Sequence, residues 1–300
     1  MLGALVGLLL MQNIDARLVA AETRLRETIS VHFSAPDGYH MREVADKPEV
    51  AFLWSQGVLM GAVAQGLKVD KKRYQPLWSR ARKALDTYEA KDALGGYAVL
   101  PGQKEPDRYY DDNAWIAWAC LEAYDVTQDK GDLDRALKAY RFSLTGKDQK
   151  LDGGIYWHEA TKTEKNACVN TPVAAVSLLL ARMYPKDEKF GLTGDDLIAW
   201  TKKKLLDKDG LVQDNINLDG KVEPTKWSYN TACLIRAITL KYREDPAEEY
   251  KAQAMDFLAK SEQRWIDPQT HLLKDPGPFG QHLVDAMFEA SVVFSEPSLR

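Results

Sequence analysis

Five apolar stretches recur along this chain at a nearly constant interval. They are rich in small side chains, and the residues that mark them, Trp54, Asp112, Asn170, Asn230 and Asp285, lie 58, 58, 60 and 55 residues apart. A repeat of this length indicates a supersecondary unit that stacks against its neighbours because it cannot bury its apolar side alone. A helix that is apolar on every side is buried among other helices. The repeat therefore predicts an array of helical hairpins with these stretches inside.

Between these stretches lie segments that carry charges on one face, as Arg73–Ala90, Leu133–Leu144 and Ala247–Arg264 do. Such amphipathic helices face solvent, and no run of alternating apolar residues predicts a strand. Inner and outer helices would then alternate in an all-α toroid of the (α/α)6 type. Six hairpins close such a ring, but five are counted before Arg300, so we expect the sixth hairpin to be missing. Periodicity and capping residues together predict ten helices, at 14–32, 50–67, 74–90, 112–127, 132–145, 170–184, 194–206, 227–243, 247–264 and 281–295.

No linker divides the chain, so we predict one catalytic domain over 14–300 after an apolar N-terminal segment at 1–13. The apolar run Met1–Met11 is shorter than the roughly 20 residues that a membrane span needs. It has two interpretations, the remnant of a secretory leader or the first turns of a helix. The leader interpretation favours a secreted or periplasmic location over a cytoplasmic one.

Composition argues against several kinds of partner. The chain has 40 Lys and Arg against 44 Asp and Glu, so it lacks the basic bias of nucleic-acid-binding proteins. The three cysteines and five histidines show no metal-ligand spacing, so we predict neither a metal nor another cofactor. Glycine-rich phosphate loops and the Gly-x-Ser-x-Gly motif are missing too. We therefore expect a monomer that binds a neutral or polar small molecule.

Two adjacent aspartates, Asp111 and Asp112, lie at the head of the second apolar stretch, among tyrosines and a tryptophan. Neighbouring carboxylates in a partly desolvated cleft push their pKa values apart, leaving one ionised and one protonated. Cleavage of a glycosidic bond requires that division of roles. The alternative is helix capping, since carboxylates interact favourably with a helix N-terminus. We assign only the capping role to the second acidic pair, Asp195 and Asp196.

Aromatic rings can stack on the apolar face of a sugar, and amides can bind its hydroxyl groups. Tyr110, Trp157 and Trp227 are candidates for stacking, although buried core packing is the alternative for each ring. Asn166 and Asn170 lie four residues apart, hence on one helical face, and are candidates for hydroxyl binding. Helix capping is the alternative for Asn170.

Four segments in this order and spacing resemble those of glycoside hydrolase family 76, over about residues 14–295. That family contains endo-α-1,6-mannanases with an (α/α)6 barrel. The segments are Tyr109-Tyr110-Asp111-Asp112-Asn113-Ala114-Trp115, Gly153-Gly154-Ile155-Tyr156-Trp157, Lys165-Asn166-Ala167-Cys168-Val169-Asn170 and Trp227-Ser228-Tyr229-Asn230.

The resemblance implies a retaining hydrolysis of an oligo- or polysaccharide, most specifically α-1,6-mannan. It implies that Asp111 is the nucleophile and Asp112 the acid/base, and it adds Tyr229 and Asn230 to the substrate-binding candidates. Two alternatives stay open, because α/α toroids host several activities. One is a sugar epimerase or unsaturated-uronide hydrolase, and the other is a glycan-binding protein without catalytic activity.

Overall fold

The computed structural model describes residues 19–29, 34–45 and 47–296. The predicted N-terminal segment at 1–13 lies outside these residues. The described ranges contain ten long helices: α1 (19–29), α2 (Leu53–Val69), α3 (Lys71–Leu85), α4 (Tyr110–Thr127), α5 (Lys130–Leu144), α6 (Ala167–Met183), α7 (Glu188–Lys204), α8 (Ser228–Glu244), α9 (Glu248–Trp265) and α10 (Gly277–Val293). Two short 3-10 helices, Asp86–Tyr88 and Lys150–Asp152, follow α3 and α5.

The helices form an inner and an outer layer. From α2 to α10, each even-numbered helix packs against the next even-numbered helix, and α3, α5, α7 and α9 pack mainly on the even-numbered helix before them. The buried side chains of α2 to α10 make one continuous hydrophobic cluster. The prediction of an all-α toroid with alternating inner and outer helices is confirmed, whereas the missing sixth hairpin stays a prediction.

A small antiparallel sheet lies beside the inner helices. Its strands are β1 (Glu164–Asn166), β2 (Asn215–Asn217) and β3 (Val222–Glu223), in the order β1-β2-β3, and Lys165 is paired with Ile216. Strands of two or three residues are too short to show an alternating pattern, which is why the sequence did not predict them. Because β1 runs directly into α6, the sheet positions the start of that helix.

Two predicted helix starts were taken from capping patterns that lie inside the helix. The start of α7 is Glu188, where the Asp187 side chain caps the Lys189 amide, and not residue 194, so Asp195 and Asp196 lie within the helix and the capping role assigned to them is wrong. The start of α6 is Ala167, so Pro172 lies inside the helix and not in its first turn. In both cases a capping pattern within the helix was read as its beginning, since Asp, Thr and Pro also occur beyond the first turn.

The loops before α4, α6 and α8 make the same two kinds of contact to the helices on either side of them. Each loop makes one antiparallel bridge to the end of the preceding outer helix, Glu89 with Tyr97, Lys147 with Ile155 and Leu206 with Val212. The second residue of each bridge also donates its backbone amide to a side chain of the following inner helix, Tyr97 to Asn113, Ile155 to Asn170 and Val212 to Thr231, at 2.8, 2.8 and 3.0 Å. Loop and helix start therefore form one unit.

Candidate active site

The two adjacent aspartates occupy the first turn of α4, which begins after the N-cap residue Tyr109. Asp111 is partly buried, and Asp112 is 6% exposed. The helix N-terminus favours negative charge there, but burial opposes it because a carboxylate loses its hydration. The balance between these effects differs for the two acids.

Asp111 has unlike surroundings at its two carboxylate oxygens. Its Oδ2 accepts hydrogen bonds from the Trp157 indole at 3.0 Å and from the Cys168 thiol at 3.5 Å. Its Oδ1 is buried and has no hydrogen-bond partner in the described part of the chain. Burial raises the pKa of Asp111 to about 6, while the hydrogen bonds from Trp157, Cys168 and the helix amides act to lower it.

Asp112 is more strongly disposed to keep its proton. Burial is the first cause that raises the pKa of this carboxyl well above its ordinary value, and the negative charges of Asp111, Asp107 and Glu43 add to it. No described residue donates a hydrogen bond to its side chain. These surroundings favour the carboxylate on Asp111 and the carboxylic acid on Asp112.

The inner helices bring equivalent positions together. Asp111, Cys168 and Tyr229 are each the second residue of their helix, in α4, α6 and α8, and all three face the same interior space. The Tyr229 hydroxyl interacts with the Cys168 thiol, which in turn contacts Asp111. The sequence predicted no role for Cys168 at this site. Cys168 lies 57 residues after Asp111, the same interval that separates Asn113 from Asn170. This equal spacing indicates that Cys168 is the residue of α6 equivalent to Asp111.

Trp157 reaches Asp111 because its loop is tied to the start of α4. The backbone carbonyl of Trp157 accepts a hydrogen bond from the Tyr110 amide at 2.9 Å, and its ring lies 4.9 Å from that of Tyr109. The predicted role of this tryptophan was sugar stacking. The structure gives it a further contact, a hydrogen bond from its indole to one acid of the pair.

A buried lysine holds the loop before Trp157 in place, and the sequence predicted no role for it. Lys165 is fully buried. Its ammonium donates to the carbonyls of Gly153 and Gly154 at 2.6 and 3.0 Å and to Asp148 at 2.6 Å. Gly154 has a positive φ, and a Cβ there would lie 2.4 Å from the Trp200 ring. Gly154 thus permits close packing of the loop on Trp200.

Two predicted substrate-binding residues lie away from the cleft. Tyr110 is fully buried and stacks on Phe142 at 4.9 Å, because the first residue of α4 points toward the outer helix. Asn170 is also fully buried. Its side chain binds both backbone groups of Ile155 and the carbonyl of Asn166, so no donor or acceptor is left for a sugar. Both assignments are corrected to structural roles.

Asn166 and Asn230 lie at the starts of α6 and α8, at the same end of the toroid as the acids. Both are buried, and the side-chain oxygen of each has no hydrogen-bond partner in the described ranges. The Asn230 amide donates to Asp214 at 3.3 Å, and burial raises the pKa of that acid. Asp214 was missed because it lies in a loop without any motif. These groups add hydrogen-bonding capacity beside the acid pair.

An aromatic cluster lies at the same end of the toroid, across α2, α8 and α10. The Phe279 ring lies 4.7 Å from Tyr229, 5.1 Å from Trp227 and 6.1 Å from Trp54. Trp227 and Tyr229 were predicted, whereas Trp54 and Phe279 were not, since single aromatic residues at helix starts carry no local signal. Partly buried rings of this kind are suited to stacking on sugars.

The described part of the chain contains no group of His, Cys, Asp and Glu side chains arranged to hold a metal ion. Among the helices that the structure describes, none combines the length and apolar character needed to cross a bilayer.

The paired acids, the loop that contacts them and the toroid can be compared with known proteins. A sequence model described as Glycosyl hydrolase family 76 matches residues 20–286 of the chain. The chain belongs to glycosyl hydrolase family 76. Membership in this family makes it a glycosidase and explains the helical toroid. None of the curated proteins compared with it matches the chain.

Solved structures of this family resemble the chain along most of its length. An α-mannanase of the family from Bacteroides thetaiotaomicron is 30% identical, with a TM-score of 0.87 over 93% of this chain and 80% of that chain. An α-1,6-mannanase from Salegentibacter sp. is 21% identical, with a TM-score of 0.77 over 92% and 81%.

An inactive variant of the Salegentibacter enzyme, in which two consecutive aspartates are alanine, is bound to α-1,6-mannotetrose. It is 22% identical to this chain, with a TM-score of 0.79 over 92% of this chain and 80% of that one.

Proposed function

We propose that this glycosidase cleaves α-mannosidic linkages, most specifically those of α-1,6-mannan, by a retaining double displacement at Asp111 and Asp112. The observation that carries this proposal is the unlike surroundings of two adjacent, largely desolvated acids, since Asp111 accepts hydrogen bonds from Trp157 and Cys168 whereas Asp112 lies among negative charges. A mechanism that uses one nucleophile and one acid needs that difference before substrate arrives.

In the first step, a carboxylate oxygen of Asp111 attacks the anomeric carbon and forms a glycosyl ester. The bond from that carbon to the leaving oxygen breaks, and this oxygen takes the Asp112 proton. In the second step, Asp112, now a carboxylate, removes a proton from water. The water oxygen attacks the anomeric carbon, and the electron pair of the ester bond returns to Asp111. Two inversions give net retention.

Similar proteins support the choice of linkage. The Bacteroides protein is an α-mannanase. The Salegentibacter enzyme is an α-1,6-mannanase, and its variant without two consecutive aspartates is inactive yet bound to an α-1,6-linked tetrasaccharide. Asp111 and Asp112 are the consecutive acids that this chain offers inside the toroid, and the neighbouring amides and rings provide contacts for such a ligand.

The proposal is tested by incubating the protein with linear α-1,6-mannan and a panel of unrelated glycans while new reducing ends are measured. We expect reducing ends from α-1,6-mannan, and their loss in Asp111→Asn and Asp112→Asn. The matched control replaces Asp195 and Asp196 with asparagine, because these exposed acids pair only with lysines on the outside. Interconversion of free sugars would support the epimerase, and binding without cleavage would support a glycan-binding protein. Either outcome would contradict the proposal.

A further inference from the structure

The unequal surroundings of the two Asp111 oxygens have a chemical consequence. Oδ2 has two donors, the Trp157 indole and the Cys168 thiol, whereas Oδ1 has none among the described residues. Two donors on one oxygen hold the carboxylate in a single orientation. The Asp111 side chain is therefore fixed in place before any sugar binds.

We propose that the Cys168 thiol, together with the Trp157 indole, orients the Asp111 carboxylate for attack by holding its Oδ2, which makes Cys168 a positioning residue for the nucleophile. This inference rests on the proposed function, because it concerns the same nucleophile. It adds a role for a cysteine that the two displacement steps do not use.

The Cys168 thiol lies between two polar groups. Its sulfur donates to Asp111 Oδ2 at 3.5 Å, and the Tyr229 hydroxyl of α8 is its second polar neighbour. Cys168 is 5% exposed, so water competes little for these groups.

A thiol suits this position because it is a weak donor. It orients the carboxylate but stabilises the negative charge less than a hydroxyl would, so Asp111 stays nucleophilic. During the first displacement one oxygen of Asp111 gains the bond to carbon and the carboxylate loses its charge, which weakens the hydrogen bonds from the two donors. When the ester is hydrolysed, the electron pair returns to the carboxylate and the original hydrogen bonds regain their strength. No proton leaves Cys168 in either step.

The test compares Cys168→Ala with Cys168→Ser. Without a donor the carboxylate is less stabilised, so the pKa of Asp111 rises and the acidic limb of the kcat/KM profile moves upward by roughly 0.5–1 pH unit. Serine supplies a stronger donor, so its acidic limb stays at or below the wild-type position. Cys233→Ala is the matched control, since Cys233 is an equally buried free cysteine in α8, and its profile should be unchanged.

A second readout does not depend on turnover. Carbon-13 NMR of labelled aspartate carboxyl groups reports the titration of Asp111 directly, and Asp111→Asn assigns the resonance. We expect a higher Asp111 pKa in Cys168→Ala than in the wild type or Cys168→Ser. An unchanged Asp111 titration in a folded Cys168→Ala protein would overturn the positioning role, whatever the substrate. A shifted titration in a protein that cleaves no mannan would instead reject the proposed function and leave the positioning role standing.

Discussion

At the scale of single residues, Asp111 and Asp112 are chemically identical acids whose roles are determined by their surroundings. Asp111 accepts hydrogen bonds from an indole and a thiol, whereas Asp112 is surrounded by negative charge. The sequence was sufficient to predict the pair and the division between ionised and protonated forms. It could not predict the donors, because Trp157 and Cys168 are 46 and 57 residues from Asp111.

Replacing either acid with its amide should remove activity and stabilise the fold at alkaline pH. A carboxyl whose folded-state pKa is raised contributes stability at low pH and loses it as pH rises through that pKa. For Asp111, with a folded pKa of about 6, Asp111→Asn should gain roughly 1–3 kcal/mol relative to the wild type at pH 8 and almost nothing at pH 4. Urea unfolding at both pH values measures the difference. A variant that is less stable at pH 8 would show that the acid serves as a helix cap.

Not every predicted contact residue could be placed from the sequence. Tyr110 was a candidate because its ring could stack on a sugar beside the acid pair, and Asn170 because it lies four residues from Asn166. At the start of a helix, neighbouring side chains point about 100° apart, so a shift of one position separates the interior from the core. Whether a side chain faces the cleft or the core depends on which residue begins the helix, and the preceding loop determines that residue.

At the scale of elements, the hydrogen bonds that join each loop to the following inner helix position the site. In the second of the three copies, Asn170 binds the amide and the carbonyl of Ile155 at 2.8 and 3.0 Å, and the Trp157 that contacts Asp111 follows two residues later. The side chain of Asn170 is therefore a support for the catalytic loop.

Asn170→Ala should destabilise the fold by about 2–4 kcal/mol, because two buried backbone groups of Ile155 lose their partner. We also expect lower activity, since the loop that carries Trp157 is released. Asn166→Ala is the control, because its amide makes only one long contact, 3.5 Å from Glu164, and it should change stability little. Thermal unfolding and mannan hydrolysis measure the two effects. Equal stability of the two variants would contradict this role of Asn170.

The ten helices could be predicted because each is long and periodic, and apolar inner segments contrast with amphipathic outer ones. The three-residue strand β1 and the bridges that close the loops could not. They consist of single pairings between residues that are distant in the chain, such as Lys165 with Ile216, and they leave no local pattern.

At the scale of the whole molecule, the inner helices bring their starts together at one end, where the acids and the aromatic cluster of Trp54, Trp227, Tyr229 and Phe279 lie. The period of about 58 residues predicted the alternation of inner and outer helices, which places these starts at one end. The sequence did not show that the cluster spans α2, α8 and α10, because contact between the first and last inner helices depends on the curvature of the whole array.

This arrangement predicts that distant sugar units of a polymer contact the aromatic cluster. Trp227→Ala and Phe279→Ala should raise KM for α-1,6-mannan about 10-fold, at the usual 1–2 kcal/mol for a lost aromatic contact, and change kcat/KM for a small aryl mannoside much less. Phe288→Ala is the control, since this ring is 62% exposed on α10. Equal losses for polymer and aryl mannoside in the Trp227 and Phe279 variants would show that the cluster supports the fold and not the polymer.

The central claim is that Asp111 and Asp112 act by double displacement, and the anomeric configuration of the first product tests it most directly. Proton NMR during the hydrolysis of α-1,6-mannan resolves α and β reducing ends before mutarotation mixes them. We predict that the α anomer appears first with the wild-type protein and that neither anomer appears with Asp111→Asn. A β anomer that appears first would contradict the account, because it would show a single displacement in which Asp111 never bonds to the sugar.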